Sequence, residues 1–374
     1  MPEIWLRYGM TDVVLDIKFE NLASHIASTF QPLPEEEIIA AFASVPLTDN
    51  MLLVSLSPSK AAARALAILV GAARAKGFDV SVDVPPRMTA SLRTNLTAQA
   101  GGEAVSISRV DYQSLQERIK KFQSAVVVSS VAYDPLFGYA GGPTALLRNF
   151  LPDQMSEAFK SRRENIPAPG EEREPLKIAI SSIEGIAATS IELVTSGSGI
   201  AGIHSGSVAE TFAKAKTQLR AISAVETDPV KCAILSASSE SGIHSTLAVA
   251  LNSLWNAIHV VKEGGSAILL AESREGLGGG ALQMYVEGRL GAEQLAQNPY
   301  VDGLEHLLYL QELGQRYELG IVSTLPHYYA NKKLGFTIYT SMKDIMQRLP
   351  DKHGKNYKVI VLSDADVTLL RPKI

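Results

Sequence analysis

SAVVVSSVAYDPLFGYAGGPTALLRNF, running from Ser124 to Phe150, opens on an apolar β-branched run, passes through a turn of small residues and closes on an amphipathic helical pattern. Two other stretches repeat that order. MLLVSLSPSK at 51–60 leads into AAARALAILVGAARAKG and then the strand pattern FDVSVDV. CAILSASSESG, from Cys232, leads into a helical pattern over about 244–262 and then SAILLAES. Strands alternating with helices of this length, with no two-residue hairpin signal between them, predict βαβ units and mainly parallel sheets. The expected fold class is α/β. Ligands in such sheets gather at the carboxyl ends of strands, so the loops after Val54, Val128, Leu235 and Leu270 are where function is sought.

A chain of 374 residues is long enough for two domains, each with its own core. Prolines and charges in ENIPAPGEEREP at 164–175 mark a linker, followed by the expected strand LKIAISSIEGIA at 176–187 and a helix at 206–222. AVETDP at 224–229 reads as the joint before a complete βαβ pattern, which sets the expected domains at 1–225 and 226–374, with a ligand cleft between them. The opening MPEIWLRYGMTDVVLDI alternates as strand does, and a polar knot at 349–357 precedes a last strand, KVIVLSDADVTLL.

With 46% apolar and 20% charged residues the composition is that of a folded globular chain. A net charge of −4 with scattered basic residues gives no global attraction for nucleic acid or an anionic membrane. The only cysteine, Cys232, has no intrachain partner and sits in an apolar strand pattern, which suits a buried thiol in a reducing compartment. No apolar run approaches the ~18–20 residues of a membrane span, so the expected location is cytoplasmic.

Candidate site residues lie mostly in the predicted turns. Gly138, Gly141 and Gly142 stand between strand and helix, either as a tight turn or as a cradle of amides for an anion at a helix start. The run has neither the Gly-x-Gly-x-x-Gly spacing of a dinucleotide site nor the Gly-Lys-Ser/Thr ending of a P-loop. In SLSPSK the serines read as helix caps, and Lys60, opposed by the helix dipole, calls for an anion nearby. Glu272 and Glu275, in AESREGLGGG, belong to a loop over a cleft or to a solvated one. The histidines at 25, 204, 244, 259, 306, 327 and 353 include no close-set pair, so no metal site is expected. His204 and His244 share the contexts GIHSGS and GIHSTL and are the leading titratable candidates.

The motifs resemble those of the lactate racemase family from end to end. LRYGMTDVVLDI is similar to that family's opening strand, RMTASL to its Pro-Met-Thr turn, YAGGPTALL to its Ser-Gly-Gly-x-Lys-Ala loop and GSVAETFAKA to its Gly-Asp-Pro-Val-x-x-Ala helix. VVKEGGSAILLAESREGLGG is close to its Val-Lys-Pro-Gly-Gly segment, and SDADVTLL to its last strand. The resemblance implies two α/β domains around a cleft and racemisation or epimerisation of a 2-hydroxy acid by hydride transfer to a nickel-pincer nucleotide.

The groups that carry that chemistry in the family are missing here. Its tethering lysine falls on Thr144, its two acid–base histidines on Pro85 and on Asp134 or Leu136, and its nickel ligand within 155–166, which holds no histidine. The phosphate turn Asp-x-Thr-Arg-Pro becomes SLSPSK, and the substrate-facing glutamine and lysine fall on Val249 and Asn252. The resemblance therefore implies the scaffold without the cofactor. The first expectation is a binder of a small anionic metabolite, carboxylate or phosphate, held by Lys60, Arg87, Gly141, Gly142, Thr144 and Arg148 with Glu272 or Glu275 across the cleft. The second is an isomerase with a new acid–base set of Asp134, Tyr133 and Tyr139 with His204 or His244. The third is a non-catalytic subunit that forms a homo-oligomer or pairs with an active paralogue.

Overall fold

The computed structural model describes residues 3–99, 106–109, 115–238, 246–278, 280–291 and 300–373, apart from the side chain of Ser91. Its strands form two main sheets. One runs in the order Gly199–Gly206, Thr189–Ser196, Ser124–Asp134, Met51–Ser55, Val80–Val84, Ile107–Arg109, parallel except for its first pair. The other runs Thr337–Ile338, Glu318–Val322, Val261–Leu270, Val230–Ser236, Val359–Leu362, Leu22–Ile26 and is parallel throughout. The fold is α/β with mainly parallel sheets. Central strands are buried on both faces, which is why Met51–Ser55 shows no exposed position and reads as a continuous apolar run. The helix Lys60–Ala75 starts where the hydroxyl of Ser59 accepts the Ala62 amide at 3.1 Å. Its alanines at 61, 62, 63 and 65 are buried and let it lie close to the sheet.

Four expectations are corrected. Residues 3–26, placed by sequence before the joint, lie with the second sheet: Leu22–Ile26 is its edge strand, and the residues before it form a separate two-stranded sheet packed against it. Glu3–Tyr8 and Thr11–Asp16 form an antiparallel hairpin through Gly9, whose φ of +60° suits a residue without Cβ. Its inward residues Ile4, Leu6, Leu15 and Ile17 pack on Cys232, Ile234 and Ile268. The segment expected as strand at 176–187 begins as the helix Glu174–Ser182, with Pro175 in its first turn and Leu176, Ala179 and Ile183 buried at helical spacing. Within the expected joint 224–229, Ala224–Thr227 is a strand paired in parallel with Leu369–Pro372, so the end of the chain clamps it. The polar knot is mostly the end of the helix Met342–His353, and the final segment supplies two strands, Val359–Leu362 and Leu369–Pro372.

The largest apolar cluster runs through both halves. Tyr133, Phe137, Leu147 and Phe212 from the first share it with Trp255, Leu304, Tyr309 and Leu369. Cys232 is fully buried, and burial pushes its thiol up to about 12. Among the described residues no helix is long and apolar enough to cross a membrane.

Candidate functional site

The long strand Ser124–Asp134 delivers Asp134 to the junction of the two halves. One carboxylate oxygen of Asp134 accepts the amides of Leu136 and Phe137, both at 2.8 Å, and so fixes the turn that follows. The other accepts from Arg148 at 3.1 Å. Arg148 lies on the helix Gly142–Phe150 and reaches the opposite half, where Nη1 meets the Tyr300 hydroxyl at 2.6 Å and Glu305 at 2.8 Å. Its guanidinium stands 4.9 Å from the centre of the Phe137 ring. Arg87, in the turn after Val80–Val84, spans the same junction to Asp302 at 2.7 Å and also donates to Asn149 at 3.0 Å. Behind them the Trp255 indole donates to Nδ1 of His306 at 2.9 Å, which places the proton of a neutral imidazole on Nε2.

Electrostatics holds this cluster in one charge state. Burial works against the charge of Arg148, but Tyr300, Glu305 and Asp134 outweigh it and raise its pKa well above the ordinary value. Burial also opposes ionisation of Asp302, and Arg87 and Arg148 reverse that effect and lower it. His306 is lowered, chiefly by burial, and so is neutral at physiological pH. The donors of Arg148 are therefore directed at the protein's own carboxylates. The cluster ties the halves together and engages both Nη atoms of Arg148 with the protein's own side chains, where a ligand was expected.

The glycine turn is corrected in a related way. The amide of Gly141 donates to the Thr144 hydroxyl at 3.0 Å, and that hydroxyl lies 3.1 Å from the Gly141 carbonyl. The amide of Gly142 donates to Glu192 at 2.9 Å, and the Ser129 hydroxyl donates to the same oxygen at 2.8 Å. The group at this helix start is supplied by the chain itself, the carboxyl of Glu192. Glu192 is fully buried, its other oxygen has no hydrogen-bond partner among the described residues, and burial pushes its carboxyl up to about 7 against the two hydrogen bonds. A Cβ at Gly142 would stand 3.0 Å from Val208 and 3.1 Å from Glu192, which accounts for the glycine.

Other candidates are spread through the molecule. Lys60 is the exposed first residue of its helix, and Glu275 is exposed. The carboxylate of Glu272 lies against the Gly9 turn, and its carbonyl accepts the Thr324 amide at 3.0 Å. The Tyr133 hydroxyl lies 3.1 Å from Ser223, and burial pushes it up to about 12. His204 bonds Gln218 at 2.7 Å, and Lys216 stands 5.7 Å from the centre of the Tyr139 ring. His244 lies outside the described residues. Of the expected acid–base set of Asp134, Tyr133 and Tyr139 with His204 or His244, the rings of Tyr133 and Tyr139 lie together with centres 5.7 Å apart, while Asp134 is bound to Arg148 and His204 to Gln218. Among the described residues no group of three or more His, Cys, Asp or Glu is arranged to hold a metal.

Sequence reading missed Trp255, Tyr300, Asp302, Glu305 and His306. One signal was present: Glu305 and His306 interrupt an apolar helix whose other residues from Leu304 to Leu310 are all buried. Beside the cluster, a cavity of about 360 Å³ opens between the loop after Asp134, the 161–166 turn, the start of the helix Glu174–Ser182 and Tyr309 of the second half.

Two parallel α/β units, joined by a shared core with a metabolite-sized cavity at their junction, define the class of protein. The particular fold is that of lactate racemase. The lactate racemase apoprotein from Thermoanaerobacterium thermosaccharolyticum superposes with a TM-score of 0.78 at 15% identity, covering 99% of this chain and 100% of that one. A protein from Thermotoga maritima superposes with a TM-score of 0.65 at 11% identity, covering 91% of this chain and 99% of that one. No family model and no curated protein matches the chain. At these identities the likeness is one of fold, in keeping with the resemblance read from the motifs.

Proposed function

We propose that this chain uses the lactate racemase fold without nickel-pincer chemistry, to bind a small anionic metabolite, a carboxylate or a phosphate, at the junction of its halves. The residues present do not fit the family's cofactor. At the position the resemblance gives to the tethering lysine stands Thr144, which is buried, has no amine and is engaged within the glycine turn. At the positions it gives to the acid–base histidines stand Pro85 and either Asp134, bound to Arg148, or Leu136.

The observation that carries the binding reading is the cavity of about 360 Å³, whose polar wall sets Arg162, Arg163, Arg173 and Lys177 against Glu164, Glu172 and Glu174. Its size falls at the small end of the ~300–1,000 Å³ typical of ligand sites. Thermal-shift titration with lactate, malate, glycerol 3-phosphate and inorganic phosphate tests it. A ligand present at about a hundred times its Kd stabilises the fold by about 2.7 kcal/mol. No rise in melting temperature with any carboxylate or phosphate refutes the reading.

A further inference from the structure

Arg162 follows the helix Pro152–Lys160 and lines the cavity. Its Nη1 donates to the Phe159 carbonyl at 2.7 Å, and its Nε donates to Asn165 at 3.2 Å. The guanidinium lies 3.6 Å from the centre of the Phe159 ring, which fixes its plane. Both hydrogen-bond partners are neutral. Among the described residues no carboxylate lies within ion-pair distance of it, although the side chain is half-buried.

The rest of the wall holds charge of both signs: Arg163 and Glu164, adjacent in sequence, line it together, and the other charged groups are paired. Arg173 pairs with Glu171 at 2.9 Å, Lys177 with Glu174 at 3.0 Å, and Glu172 with Lys216 at 2.6 Å. Glu305, whose field reaches Arg162, is already engaged by Arg148. Burial pushes Arg162 below its ordinary pKa despite Tyr309 and Glu305. A partly desolvated cation without a counter-charge is costly, and buried charges are ordinarily paired. Two of the five N–H groups of the guanidinium are used, and the others remain for a planar anionic group. Pro135, Leu136, Ile166 and Pro175 give the same cavity an apolar side.

We propose that Arg162 anchors the anionic group of a small-molecule ligand, and that the ligand carries an apolar body which lies against Pro135 and Leu136. This assignment rests on the anion-binding function proposed above. It names the residue and narrows the ligand to an amphiphilic carboxylate or phosphate monoester.

Calorimetric titration of the full chain at constant ionic strength tests it. The probes are lactate, 2-hydroxyisocaproate, phenyl phosphate and inorganic phosphate; the proteins are wild type, Arg162→Gln, Arg162→Lys and the exposed control Arg109→Gln. The expected result is that 2-hydroxyisocaproate or phenyl phosphate binds wild type and Arg109→Gln alike, at least tenfold more tightly than its small counterpart. Arg162→Gln loses at least tenfold in affinity, and Arg162→Lys, which keeps the charge without the fork, falls between. The Gln variant without ligand melts no lower than wild type, because the residue it replaces is an uncompensated cation.

Equal binding by wild type and Arg162→Gln overturns the anchor while leaving the proposed function standing. Equal affinity for large and small probes overturns the apolar body. Failure of wild type to bind any probe overturns both the assignment and the function beneath it. A Gln variant that unfolds shows a structural role and overturns the assignment if Arg162→Lys, folded, binds as wild type does.

Discussion

Replacing Glu192 with glutamine is expected to change how stability depends on pH. The carboxyl is fully buried, and its pKa rises from the ordinary 4.5 to about 7. A group whose pKa is raised on folding favours the folded state below its unfolded value, and that contribution is lost as pH rises through the folded value. At about 1.4 kcal/mol for each pH unit between the two values, ionisation of Glu192 costs about 3 kcal/mol by about pH 8. Glutamine keeps an oxygen for the Gly142 amide and the Ser129 hydroxyl. It puts an NH2 where the unbonded oxygen stood, a pH-independent cost of about 1–3 kcal/mol. Urea unfolding of wild type and Glu192→Gln between about pH 5 and pH 8 isolates the effect, because the lowered histidines His259 and His306 contribute equally to both proteins and cancel in the difference. The expected result is a stability difference that moves by about 2.5 kcal/mol across that range in favour of the glutamine variant. A difference that does not vary with pH refutes the account of this helix start.

Further outcomes follow from the junction and the core. Arg148→Met strands the buried carboxylates of Asp134 and Glu305, and denaturant unfolding is expected to show a loss of about 3–5 kcal/mol; a loss under ~1 kcal/mol, typical of an exposed pair, contradicts the reading. His306 is lowered by burial, so its share of stability is present above its unfolded pKa and is lost as pH falls through the folded one; His306→Gln is expected to flatten the acid side of the stability profile. Cys232 is expected to resist a thiol reagent in the native protein and to react fully in urea; rapid native labelling would contradict its burial.

The parallel core was legible because strands buried on both faces leave uninterrupted apolar runs, as at 51–54, 125–128 and 267–270. Sheet membership was not. Leu22–Ile26 is an edge strand of mixed burial, and its partner Val359–Leu362 lies at the far end of the chain, so nothing local assigns it to the second sheet. KIAIS reads as strand by its alternation and is helix because Pro175 opens a helical turn that buries Leu176 and Ala179. At the glycine turn the residue types pointed to a free anion cradle, and the structure fills the turn with the chain's own Glu192 carboxyl. Glu192 stands between the apolar Ile191 and Leu193, where alternation points it away from the core, yet a strand covered on both sides buries it beneath the Gly142 amide. The cluster around Arg148 joins residues of both halves, and only tertiary contact brings them together.

On the reading proposed above, this fold works here without the nickel-pincer nucleotide. The most direct test is the intact mass and nickel content of the chain produced together with the lactate racemase family's cofactor-maturation proteins. The expected result is the unmodified mass, no stoichiometric nickel and no lactate racemisation, because Thr144 offers no amine for the linkage. A mass increment equal to the pincer nucleotide, with nickel bound one to one, would contradict it.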